Sequence, residues 1–150
     1  MTQEEFESLL ADGSKTLQGD IEWQADEDHS PAVEFQAPII SQSGLPIELR
    51  GTYNQKLEKL SYAIILRGVG RIYALDMGQD HRNPDGQFTG EIHKHRWTVL
   101  FRDKEAYVPN DITEPSSNPL AVWQQFCTEF NLVHNGIMHA PPPIQGIIDL

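Results

Sequence analysis

From residue 17 to residue 101 the apolar side chains of this chain recur at every second position, not at the three-to-four spacing of a helix. Period two marks extended strands with one face toward a core and one toward water. Ile21 and Trp23 alternate with Glu22 and Gln24, and Val33, Phe35, Ala37 and Ile39 with Glu34, Gln36 and Pro38. Ile47 and Leu49 alternate with Glu48 and Arg50, a run closed by Gly51. Pro38 has no amide hydrogen to give, which predicts a sheet edge or a bulge. Turn residues fill 26–31, 41–44 and 52–56. Residues 60–67 are more continuously apolar and predict a central strand covered on both faces. Gly68-Val69-Gly70 leads tightly into a strand beginning at Arg71, and 95–102 reads as a further strand.

Helical spacing appears only at the two ends. Thr2 and Glu5 make a capping box, in which the hydroxyl takes the Glu5 amide and the carboxylate reaches back. Phe6, Leu9 and Leu10 follow at helical spacing, and Gly13 supplies a left-handed stop, so a short helix is expected over roughly 3–12. Asn118 as N-cap and Pro119 at the first position open a longer helix with Leu120, Trp123, Phe126, Cys127 and Phe130 on its apolar stripe. Cys127 on that stripe reads as a buried thiol, not a nucleophile. The expectation is an α+β fold: a mainly antiparallel, strongly curved sheet of six or seven strands, with the short helix and the longer one packed on it. At 150 residues it is taken as one domain, 1–150, with the tail 132–150 extended.

Composition narrows the partners. The start of the chain is acidic and lacks signal-peptide order, no apolar run reaches a membrane span, and one cysteine excludes a disulfide framework. These point to a cytoplasmic protein without membrane contact. Net charge is −11, which argues against coating a long nucleic acid. Yet residues 67–104 hold seven of the eleven Lys and Arg and only five of the 22 Asp and Glu. A mildly basic island in an acidic body fits a small anionic ligand, a nucleotide above all. Exposed strand edges and the proline-rich tail make a homodimer a further expectation.

The chemistry concentrates in 76–97, which contains His81, His93 and His95. On a strand, His93, His95, Trp97, Val99 and Phe101 share one face, so both histidines continue the apolar side, with Cα atoms ~7 Å apart. Asn83-Pro84-Asp85-Gly86 is a β-turn signal that brings His81 back toward them. Two mechanisms fit. Three neutral imidazoles with one open position form a catalytic zinc pattern, in which the ion lowers the pKa of its water to ~7. Alternatively, the three act as acid and base on a phosphodiester, since imidazole titrates near ~6.5. Asp76, Asp80 or Glu91 would then fix a tautomer, while Arg82, Lys94 or Arg96 hold phosphate. The basic island favours the second.

The run His81-Arg82-Asn83-Pro84-Asp85-Gly86, followed by Gly90-Glu91-Ile92-His93-Lys94-His95-Arg96-Trp97, resembles an uncharacterised family of bacterial and phage proteins of similar size. That family pairs a His-x-Asn-Pro-Asp-Gly turn with His-x-His and a downstream apolar helix. The resemblance covers residues 71–130 and implies that His81, Asn83, Asp85, His93 and His95 match its motif; it supplies no activity. Cupin barrels also carry a His-x-His strand, but their downstream Glu is replaced here by Val99 and Leu100. The expectation is a small hydrolase, a phosphodiesterase or nuclease for a small nucleotide, cyclic ones of phage defence included, or short RNA. His81, His93 and His95 are its catalytic set; Arg82, Lys94, Arg96, Asn83 and Asp85 are its substrate contacts. The alternatives are a three-His metal-dependent hydrolase and a non-catalytic nucleotide-binding or toxin–antitoxin-type module.

Overall fold

The computed structural model describes residues 1–144 of the chain, so Ile147 and Ile148 of the expected tail lie outside the described residues. Helix α1 (Gln3–Ala11) begins at the capping box: the Glu5 amide donates to the Thr2 hydroxyl at 3.1 Å, and the Thr2 amide to the Glu5 carboxylate at 3.0 Å. Its end departs from expectation. Asp12 is the C-cap, and Gly13 does not take the left-handed conformation. The Leu9 and Leu10 carbonyls are met instead by the ammonium of Lys15, wholly buried and 4.1 Å from the centre of the Phe130 ring. A cation suits both a helix C-terminus and an aromatic face.

Among the described residues nine strands follow the pattern in part: β1 (Thr16–Gln18), β2 (Gln24–Ala25), β3 (Val33–Ile39), β4 (Ile47–Asn54), β5 (Lys59–Leu66), β6 (Gly70–Met77), β7 (Ile92–Arg96), β8 (Ala106–Tyr107) and β9 (Val133–Asn135). β2 to β8 form one seven-stranded antiparallel sheet in sequence order, while β1 and β9 make a separate parallel pair. With α1 and α2 (Pro119–Phe130), the fold is α+β. No helix among the described residues is long and apolar enough to cross a membrane.

Four sequence expectations need correction. Ile21 and Trp23 are buried but lie between β1 and β2, not in a strand. β4 does not stop at Gly51 but runs through it to Asn54, because Phe35 lies over Gly51 and a Cβ there would sit 2.1 Å from its ring. β5 is central but alternates buried and half-buried, with only one face in the core. β7 ends at Arg96, where Thr98 and Arg102 exchange backbone hydrogen bonds across a turn, leaving Val99 and Leu100 exposed.

The core lies between the sheet and α2. Asn118 caps α2 by accepting the Ala121 amide at 3.3 Å, Pro119 fills the first position, and Asn131 ends it in the left-handed conformation. Val122, Trp123, Phe126, Cys127 and Phe130 are buried. The Tyr62 ring of β5 packs on Trp123 and Phe126, and the Tyr73 ring of β6 on Phe126 and Phe130. Burial raises the Cys127 thiol to about 12, leaving it inert as a nucleophile.

Burial also pushes the Lys15 ammonium down to about 8. An unfolded lysine titrates near ~10.4, so between those values the unfolded chain binds the proton more firmly and stability rises with pH. Wild type is therefore expected to gain on Lys15→Met as pH rises from about 7 to about 9.5 in urea titrations. A difference that stays flat over that range would show that the buried amine carries no linked proton.

Candidate metal centre

Register sets the site. β6 and β7 pair Asp76 with His93 and Ala74 with His95, and β5 sets Ser61 opposite Asp76. Because neighbours along a strand point to opposite faces, Ser61, Asp76, His93 and His95 share the face away from α2. Tyr62, Tyr73 and Lys94 take the α2 side. β6 ends at Met77 and leaves through Gly78, whose φ is +94° and where a Cβ would sit 2.4 Å from the Glu58 carbonyl oxygen; only glycine fits that exit.

The loop that follows folds back as the Asn-Pro-Asp-Gly signal predicts. The Gly86 amide donates to the Asn83 carbonyl at 2.8 Å, and the Asp80 carboxylate takes the amides of His81 and Gly90, both at 2.7 Å. The His81 ring centre thereby comes within 5.4 Å of that of His93 and 4.7 Å of that of His95, which are 5.0 Å from each other.

Each ring is held from behind by a backbone carbonyl. His93 Nδ1 lies 3.0 Å from the Gly90 oxygen, His95 Nδ1 2.7 Å from that of Asp103, and His81 Nε2 2.7 Å from that of Lys104. A carbonyl only accepts, so each of these ring nitrogens carries the hydrogen. Nε2 of His93, Nε2 of His95 and Nδ1 of His81 are left free, and one nitrogen of each ring lies within 4.8 Å of the other two. Asp76 Oδ2 stands 3.4 Å from His93 Nε2 and 3.2 Å from His95 Nε2. Its other oxygen takes the Ser61 hydroxyl at 2.8 Å, and Arg71 Nη1 is 3.4 Å from Oδ2.

The separations bear on two chemistries. A charge-assisted hydrogen bond from imidazolium to carboxylate runs at about 2.7–2.9 Å. Two ligand atoms of a tetrahedral zinc site, each about 2.05 Å from the ion, sit about 3.3 Å apart. The observed 3.2 and 3.4 Å lie near the second value and are also within hydrogen-bond reach of a ring N–H. Burial opposes the charge on Asp76, but His93, His95, Ser61 and Arg71 outweigh it and hold the carboxyl well below its usual range. For His93, burial opposes the charged ring, yet the Asp76 carboxylate and Gly90 carbonyl outweigh it and raise its pKa. His93 and His95 are each 2 % exposed. All three histidines line a cavity of about 280 Å³ whose other walls include Thr52, Lys59, Ser61, Arg71, Asp76 and Asp80.

The expected substrate contacts do not converge here. Lys94 lies on the opposite face, wholly buried, with its ammonium on Asp111 at 2.7 Å and Glu129 at 3.0 Å. Tyr73 and Tyr107 hydroxyls also donate to Glu129. Lysine takes the core position because two carboxylates compensate it, so the histidines face away from the core rather than continuing it. Arg96 shares the Lys94 side, 3.2 Å from Glu7. Arg82 donates to Gly86 within its own loop and stacks 5.8 Å from the Phe88 ring centre. Asp85 accepts the Gln87 amide at 2.9 Å, a turn contact. Asn83 faces the main chain: its amide donates to the Ala106 carbonyl at 2.9 Å and accepts the Ala106 amide at 2.8 Å.

Sequence reasoning named Asp76 only as a tautomer-fixing alternative and missed Ser61, Lys59 and Arg71. A lone carboxylate in the apolar run 72–77 was the available signal, since it must find partners. The carbonyls of Asp103 and Lys104 leave no trace in residue type. The Asn83 clasp is testable: Asn83→Ala is expected to accelerate hydrogen exchange at the Ala106 amide and lower stability by about 1–3 kcal/mol. Unchanged exchange would mean that the loop is held by something else.

Residues 1–132 match a family described as "Family of unknown function (DUF6978)". No curated protein and no solved structure matches the chain. A match over this much of the chain agrees with the resemblance to an uncharacterised family, and the protein belongs to DUF6978, a family of unknown function.

Proposed function

We propose that this protein is a metal-dependent hydrolase whose ion is held by His81, His93, His95 and Asp76. One observation carries the reading: three ring nitrogens, each on the ring edge turned away from a backbone carbonyl, come within 4.8 Å of one another, with the Asp76 carboxylate 3.4 Å and 3.2 Å from those of His93 and His95. Three lone pairs and an anion repel one another unless a cation or a proton lies between them. A bound transition ion supplies Lewis-acid polarisation and an acidified water. Asp76 is too acidic to shuttle protons near neutrality, so it serves as ligand and counter-charge, oriented by Ser61 and Arg71. The substrate we propose is a small nucleotide phosphodiester, cyclic forms of phage defence included, cleaved in the cytoplasm. The size of the cavity and the presence of Lys59 and Arg71 in its wall support a small anion. A sheet strongly curved around the cluster would serve the same end by walling that cavity.

Acid/base cleavage without metal is the second reading, supported by the raised pKa of His93, which favours the ring that carries a proton to donate. Chelation separates the two, because acid/base cleavage survives chelator and metal-assisted cleavage does not.

Protein purified without affinity tag or chelator is expected to carry about one equivalent of transition metal, lost in His95→Ala. Metal-free wild type that also fails to take up added zinc would end the metal reading. Proton and ion compete for His93 Nε2, so metal affinity is expected to fall as pH drops through the raised pKa of His93. Affinity flat with pH would remove His93 from the ligand set.

A further inference from the structure

The cavity in front of the histidines is close to electroneutral on its own. Its walls carry Lys59 and Arg71 against Asp76 and Asp80, two side-chain charges of each sign. A divalent ion at the histidines makes it positive by two. The four side chains are not equally free. Arg71 is held by Asp103 at 2.8 Å and Asp76 at 3.4 Å, and the Asp80 carboxylate caps the amides of His81 and Gly90. Lys59 makes no ion pair among the described residues. It stands two positions before Ser61 on β5, on the same face, with Asp76 paired to Ser61 on the next strand. Thr52, paired with Ser61 from the other side, adds a hydroxyl to the same wall.

From this geometry we infer that the cavity binds a small oxyanion between the metal centre and Lys59, and that it does so only once the metal is in place. The inference rests on the metal reading above and gives it a substrate-side contact that none of the basic residues in 81–96 provides. Without the ion, an anion meets a balanced cavity on a protein of net charge −11, and attraction is weak. With the ion, one oxygen faces the metal and another faces the ammonium, a charge-assisted contact in a partly enclosed site. Linkage then requires the effect in both directions: if metal raises anion affinity, anion raises metal affinity by the same factor.

The probes are cobalt(II), followed by its absorption, and inorganic phosphate or acetate. In anion-free buffer, wild type, Lys59→Met and Lys59→Arg are expected to bind cobalt alike. Saturating phosphate or acetate should tighten cobalt binding to wild type and Lys59→Arg by about 5-fold or more, and leave Lys59→Met unchanged. Free phosphate sequesters cobalt and thus acts in the opposite sense, so tightening cannot come from the buffer. Tightening by phosphate alone identifies a phosphate group, and by acetate as well, a general oxyanion site. Wild type that binds cobalt but responds to neither anion overturns the inference and leaves the metal reading standing. Full tightening in Lys59→Met overturns the role of Lys59. Wild type that binds no cobalt removes both readings together.

Discussion

A backbone carbonyl behind each imidazole is the constraint on which the site depends. Gly90, Asp103 and Lys104 each present an oxygen that can only accept, and this fixes which nitrogen of each ring bears the hydrogen. Side-chain partners could change protonation with conditions; main-chain carbonyls cannot. The segment around 103–106 does most of the holding, since it meets His95, His81 and Asn83 in turn. The cluster is therefore built by chain path as much as by residue type.

β7 divides two electrostatic problems between its faces. His93 and His95 meet Asp76 on one side, while Lys94, between them, meets Asp111 and Glu129 on the other. Burying a lysine is costly unless charged partners are close, and here Asp111 and Glu129 both reach the ammonium, with two tyrosine hydroxyls donating to the same Glu129 oxygen, Oε1. Removing both carboxylates would leave a charge stranded under the strand that carries two of the three histidines. Stability of the α2 interface and geometry of the cluster are thus joined through three consecutive residues.

Local chemistry was readable where a few neighbours decide the outcome. The Thr2–Glu5 box, the Asn118-Pro119 helix start, the alternation of Val33 to Ile39 and the turn at Asn83 to Gly86 all rest on contacts within a few residues. The approach of His81 to His93 and His95 followed from that turn. Long-range context decided the rest. Periodicity alone made the Trp97 side of β7 the core side for the histidines, and only Asp111 and Glu129, far along the chain, show why lysine goes in instead. β8 and β9 are two and three residues long and carry no periodic signal; they exist because partner strands are waiting. Asp76 could be seen as an oddity but not as a neighbour of both histidines, because that needs the β6–β7 register.

The order of the sheet has a consequence for how the chain comes together. From β2 to β8 every strand pairs with the one made just before it, so the sheet can be assembled by successive nearby closures. The parallel β1–β9 pair breaks this economy, joining Thr16 to Val133 and Gln18 to Asn135. During synthesis the sheet and α2 can therefore form while β1 still lacks its mate, because β9 follows all of them in the chain. Closing that pair is the late step that fastens the two ends of the fold together.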